Sequence, residues 1–300
     1  MDSKLVDNLE TGVFSLQEYL KSLCRGEQLE MKIIKSRQRF LLEVCVDSFE
    51  SAVAAILGGA DRLEVCSALA VGGLTPNLSL MQKIFNYKLN NKFSVSLAAM
   101  IRPRSGDFIY SEEELSFMMD EIDHLIPVCD TFVFGCSSVD EDGNVCIDTK
   151  SCKILLDHIK LRSQGVKKYT TFHRAFDLCT DPVKSCTKLI DLGFDCILTS
   201  GCEPTAPQGA TKLRKLQELY GNDIKIMAGS GVKQDNLKSM YDTTGLFFYH
   251  SSASKQFESR IATNCERIFP YGVAKWQTTD IYTVYKMSKI LDDIESNHKS

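Results

Sequence analysis

The sequence carries no excess of basic residues. Its 35 Lys and Arg stand against 39 Asp and Glu, for a net charge of −4, so it lacks the electrostatic footprint of a nucleic-acid binder. No apolar run reaches the ~18–20 residues that span a bilayer, and no membrane partner is expected. Among 12 cysteines there is no C-x-x-C pair, which removes local support for a structural zinc site or a thioredoxin-like centre. No G-x-G-x-x-G follows the first strand-like run, which weakens a dinucleotide-binding fold. The N-terminus lacks the basic-then-apolar order of a secretory signal. Asp2, Asp7, Glu10 and Glu18 speak against an acid-poor transit peptide. The cysteines are therefore expected to be reduced thiols of a cytoplasmic, or also nuclear, protein, and most of them small buried hydrophobes.

What is present is an ordinary globular balance over 300 residues, 44% hydrophobic and 25% charged, which excludes a disordered or collagen-like chain. Residues 1–36 place Val6, Leu9, Val13, Leu16, Leu20 and Leu23 at helical steps, so an N-terminal helical extension is expected. Near-continuous apolar runs then occur at 39–46, 62–66, 94–102, 131–135, 169–174, 196–200, 224–229 and 246–250, as strands buried on both faces require. Helical patterns fill the gaps at 48–58, 77–88, 111–126, 149–163, 181–192, 208–220 and 233–242, and a last one covers 279–294. Ser48, Asn77, Ser111 and Asp181 are expected N-caps, with Ser111 and Glu114 forming a capping box. Gly193, Gly221 and Gly245 are expected stops. Strand starts recur about every 30 residues, the length of one βαβ step. The predicted fold is α/β: a single (β/α)₈ TIM barrel with eight parallel strands over residues 37–300. The stretch 254–278, which holds the single tryptophan Trp276, is expected to cover the barrel or meet a second subunit of a homo-oligomer.

Chemistry in such a barrel gathers at the C-terminal ends of the strands. The first two strands both end in Leu-Glu-Val-Cys, and alternation places Glu43, Cys45, Glu64 and Cys66 inside. Other strand ends supply Arg102, His173, Arg174, Asp177, Ser200 and His250. Gly229-Ser230-Gly231, ahead of a predicted helix, could turn backbone N–H groups toward an anion, with Arg102 and Ser200 nearby. No lysine ends a strand at the mouth, and Lys225 falls near the opposite end, which disfavours Schiff-base chemistry.

Seven stretches make the chain resemble the copper homeostasis protein family CutC: Leu42–Cys45, Gly59–Cys66, Gly72–Pro76, Ile101–Phe108, Thr171–Asp177, Leu198–Gly201 and His250–Ala253. Ser105-Gly106 departs from the family's two glycines, and residues 1–36 have no family counterpart. The resemblance implies a (β/α)₈ barrel, a cytosolic protein linked to copper, and Cys45 and Cys66 as candidate copper thiols. Three activities stay open. In one, Cys45 and Cys66 clasp Cu(I), with His173 or His250 as a third ligand. In another, the mouth is an enzyme site for a small anionic metabolite, phosphate or carboxylate. Its candidate catalytic groups are Glu43, Glu64, Arg102, His173, Arg174, Asp177 and His250. In the third, the barrel is a scaffold for a protein partner or for itself.

Overall fold

The structure is a computed structural model that describes residues 39–258 and 275–298. The helix expected over 1–36 lies outside them. In chain order, β1 (Leu41–Val46), α1 (Phe49–Gly58), β2 (Arg62–Val65), α2 (Leu78–Asn90), β3 (Ser96–Met100), α3 (Glu112–Leu125) and β4 (Thr131–Phe134) form the first half. A small hairpin follows, β5 (Ser137–Val139) and β6 (Val145–Ile147), then α4 (Thr149–Arg162), β7 (Tyr169–Phe172), α5 (Pro182–Leu192) and β8 (Cys196–Thr199). The chain continues through α6 (Ala210–Tyr220), β9 (Lys225–Ala228), α7 (Leu237–Thr244), β10 (Phe248–Ser251), a second hairpin of β11 (Ser254–Glu258) and β12 (Lys275–Thr279), and α8 (Ile281–Asn297). Eight of the strands close a parallel barrel in the order β1-β10-β9-β8-β7-β4-β3-β2, the predicted (β/α)₈ architecture.

Alternation along each strand divides the molecule into two cores. Leu42, Val44, Val46, Leu63, Val65, Leu97, Phe132 and Tyr249 point outward into the large cluster shared with the helices. Inside the barrel lie two small apolar groups, Cys66 with Ala98, Met100 and Val133, and Cys196 with Leu198 and Met227. Leu41 and Phe248 pack against the second group, and the buried Glu43, Arg62 and Glu64 make the interior between them polar. At the opposite end from the mouth, Asp61, Asp130 and Asp195 each accept an N–H of the preceding barrel strand, from Leu42, Leu97 and Thr170, at 2.7–2.9 Å. Those bonds satisfy amides that the slant of a parallel ladder leaves open.

The helix starts follow the expected chemistry. Ser48, Asn77 and Asp181 cap with their side chains, and Ser111 with Glu114 forms the full capping box. Gly193 and Gly245 end their helices in the left-handed region that glycine adopts at least cost. Two regions differ from the pattern. The helix expected at 233 starts at Leu237, because Asn236 accepts the Lys233 N–H (2.9 Å) and donates to the Gly231 carbonyl (2.8 Å), fixing a turn instead. The stretch 254–278, where the sequence pattern predicts no regular element, contains most of the antiparallel pair β11–β12, in which Phe257 lies opposite Trp276. No helix among the described residues is long and apolar enough to cross a membrane.

Candidate metal and ligand site at the barrel mouth

Register decides which interior side chains meet. β1 pairs with β2 so that Glu43 lies beside Arg62 and Cys45 beside Glu64. β1 pairs with β10 so that Glu43 lies beside His250. The two Leu-Glu-Val-Cys segments are therefore offset by two residues. Cys45 faces Glu64 across the ladder, and Cys66 stands one interior position nearer the mouth.

In the middle of the barrel Glu43 and Arg62 form a buried ion pair. Arg62 Nη2 also approaches Met227 Sδ at 3.7 Å. Burial pushes the Glu43 carboxyl up, and Arg62 only partly opposes it. Burial works against the Arg62 charge as well, but Glu43 more than restores it.

Above this pair lies a compact corner. His250 Nε2 and Glu64 Oε2 are 2.9 Å apart. The ligand atoms of Cys45, Glu64 and His250 all lie within 4.8 Å of one another. Cys66 donates its S–H to the same Glu64 oxygen at 3.7 Å. Burial disfavours the charge on both members of the Glu64–His250 pair. Their mutual attraction prevails, so the Glu64 carboxyl stays below the ordinary carboxylate range and His250 rises well above the ordinary imidazole value. Burial, and then Glu64, push the Cys66 thiol well up. Gly73, at φ +86°, lets the chain close over this sulfur, since a β-carbon there would stand 3.0 Å from Cys66 Sγ.

A second group occupies the β3–β7 side. Arg102 gives Nη1 to the Val71 and Gly73 carbonyls (3.0 and 3.1 Å) and Nη2 to the Gly106 carbonyl (3.1 Å). It thereby ties together the loops after β2 and β3. Its Nε is buried and makes no hydrogen bond. His173 Nδ1 accepts the Ala175 N–H (3.3 Å), which puts the ring proton on Nε2, and Nε2 is buried without a partner. Burial, and then Arg102, hold His173 down at about 4, so the ring is neutral near pH 7. Arg102 and His173 both pack on Phe108, at 4.9 and 4.7 Å from its ring centre. Phe108 was not among the expected site residues, and neither was Gly135. A β-carbon at Gly135 would stand 2.7 Å from His173 Nδ1. A glycine ending a strand run is the sequence signal for such close approach.

Other candidates are committed elsewhere. Asp177 accepts from the Thr199 hydroxyl, from the Ser200 and Cys202 N–H groups, and from Arg174 Nε. Ser200 Oγ meets Asp177 and accepts from Arg174 Nη2 (3.0 Å). These residues build the loop after β8. The Gly229 N–H donates to the Thr199 carbonyl (3.0 Å). Ser230 and Gly231, both at positive φ, line the cavity, while Ser200 and Gly229 do not. Lys225 begins β9, at the end away from the mouth.

Cys45, Glu64, Arg102, His173, Arg174 and His250 thus line one cavity of 1180 Å³, walled on one side by Gln256, Trp276 and Gln277 of the β11–β12 hairpin. That volume exceeds the ~300–1,000 Å³ of common small-molecule pockets. The donor set in the Cys45 corner is one soft thiol, one imidazole and one carboxylate, a set that can hold a transition-metal ion.

A family model described as the CutC family matches residues 40–255. The copper homeostasis protein cutC homolog of Caenorhabditis elegans is 39% identical over 221 residues, covering 73% of this chain and 83% of that protein. The homolog of Homo sapiens is 38% identical over 222 residues, covering 73% and 76%. A crystal structure of CutC from Streptococcus agalactiae superposes with a TM-score of 0.63 at 30% identity, covering 71% of this chain and 98% of that one.

Proposed function

The chain belongs to the CutC family, and from that premise we propose that it is a copper homeostasis protein that binds Cu(I) at the barrel mouth. The observation that carries this reading is the convergence of Cys45, Glu64 and His250, from three neighbouring strands, with their ligand atoms within 4.8 Å. Thiolate and imidazole are the ligands that a soft monovalent ion takes up readily, and the thiolate balances its single charge. Cys45 is the thiol that lines the cavity. Cys66, covered by Gly73, does not line it and holds the Glu64 carboxylate through its S–H. It becomes a second sulfur ligand only if Glu64 gives way. Binding requires the thiol and the imidazole to surrender their protons, so copper and protons compete for the corner.

The ten described cysteines are all unbridged, which supports the reading of a reducing compartment such as the cytoplasm. Trp276, half exposed and stacked on Phe257 at 6.0 Å, offers the hairpin as a contact between subunits of a homo-oligomer.

The test is a Cu(I) competition titration under strict reduction, on wild type, Cys45→Ser, Cys66→Ser and His250→Gln, each checked for folding. One ion per chain is expected. Cys45→Ser and His250→Gln should weaken binding by more than the roughly 10–100-fold that loss of an outer partner costs, and Cys66→Ser by no more than that. A wild type with no affinity above background removes the proposal. Equal losses in the two cysteine variants would put both sulfurs on the ion.

A further inference from the structure

Arg102 is only 6% exposed, and every hydrogen bond its guanidinium makes goes to a neutral carbonyl. No Asp or Glu among the described residues forms an ion pair with it, whereas Arg62, equally buried, has Glu43. Buried charges in proteins are almost always paired. The three carbonyls fix the plane of the guanidinium without neutralising it. The Nε–H is left over, buried and unbonded. His173, 3% exposed, presents a second uncommitted N–H beside the same Phe108 ring. Its tautomer is set by the Ala175 N–H on the other nitrogen, so Nε2 is a donor and not an acceptor. Gly135 leaves the room that the ring needs. Arg174 adds a third donor at the edge of the group, since Nε and Nη2 are taken by Asp177 and Ser200 while Nη1 makes no bond.

We propose that this side of the mouth, formed by Arg102, Phe108 and His173, binds a small organic carboxylate, separately from the metal corner at Cys45 and His250. The carboxylate would supply the counter-charge that Arg102 lacks and accept from the Arg102 Nε–H and the His173 Nε2–H. Its carbon skeleton would occupy the cavity, against Met100 and Leu198. A singly charged planar group fits better than a phosphate dianion. One uncompensated cation is available, and the buried Glu64 carboxylate lines the same cavity and repels added negative charge. The two N–H donors, from the loops after β3 and β7 and packed on one ring, offer one bond to each oxygen of a carboxylate. Unmade hydrogen bonds of charged groups are costly to leave buried, so filling them is a gain that a ligand can collect on binding.

The experiment uses the full chain, purified with a Cu(I) chelator present so that the result does not depend on copper. Acetate, pyruvate and lactate, all singly charged, are titrated by calorimetry and thermal shift, with inorganic phosphate as the alternative oxyanion. The expected result is saturable binding and a raised Tm with at least one carboxylate, and none with phosphate. His173→Phe, which keeps a ring against Gly135 but removes the donor, should weaken that binding about tenfold or more, and Arg102→Met should abolish it. Because Arg102 also ties two loops, His173→Phe is the deciding variant should Arg102→Met fail to fold. Absence of binding across the three carboxylates, binding by phosphate alone, or affinity unchanged in His173→Phe would overturn the proposal.

Discussion

Glu64 and His250 lie 186 residues apart in the chain and meet in the barrel mouth with Oε2 and Nε2 at 2.9 Å. The contact follows from barrel closure, which sets β2 and β10 on either side of β1. Each group would resist carrying charge there alone, and each keeps the other ionised.

The copper-free protein should therefore show a bounded pH window for this pair. The depressed Glu64 carboxyl contributes stability above its ordinary value of 4.5, and that contribution is lost as pH falls through the folded value. The raised His250 contributes fully below its ordinary value of 6.5, and that contribution is lost as pH rises through the folded value. The stability difference between wild type and His250→Gln should be largest between those values, about 3–5 kcal/mol for an uncompensated buried charge, and should shrink on both sides. Denaturant unfolding from pH 4 to 9 measures it, and a flat difference would contradict the assignment.

The deeper pair offers a cleaner contrast. Arg62→Met leaves Glu43 buried without its partner and should cost about 3–5 kcal/mol, whereas the double variant Glu43→Leu with Arg62→Met should recover most of that loss. Urea midpoints of the two variants decide between a pair needed for folding and one that hydrophobic packing can replace.

Gly135→Ala should destabilise the fold by about 1–3 kcal/mol, because the new β-carbon overlaps the His173 ring at 2.7 Å. Thermal unfolding reads the loss. An unchanged Tm would mean that the ring moves freely, and His173 would then not be held for a ligand.

Asp177 anchors the loop after β8 through the Thr199, Ser200 and Cys202 groups. Asp177→Ala should cost about 2–4 kcal/mol, the scale for breaking a partly buried charged network, while leaving Cu(I) affinity unchanged. A stable variant with lost copper affinity would move Asp177 from scaffold to site.

The barrel was legible because strands buried on both faces recur as apolar runs at a fixed spacing and the helices between them carry their own caps. The polar mouth was legible for the same reason, since Glu43, Cys45, Glu64 and His250 interrupt runs that are otherwise apolar. Register was not legible. Two identical Leu-Glu-Val-Cys segments suggest two thiols side by side, but the stagger of a closed barrel sets Cys45 against Glu64. Nor could the sequence show that Arg102 spends three bonds on carbonyls while lacking a counter-charge, because those carbonyls come from loops without a side-chain signature. The β5–β6 hairpin did leave a signal, Asp142-Gly143 between short β-branched segments. The β11–β12 pair, polar on most positions, left little.

The most direct measurement of the central claim is X-ray absorption at the copper edge on the Cu(I)-loaded full chain. The account predicts one ion per chain with a mixed shell: one sulfur from Cys45 and a nitrogen with the outer scattering of an imidazole, the latter lost in His250→Gln. A shell of two sulfurs without imidazole, or copper that does not stay with the protein, would contradict it.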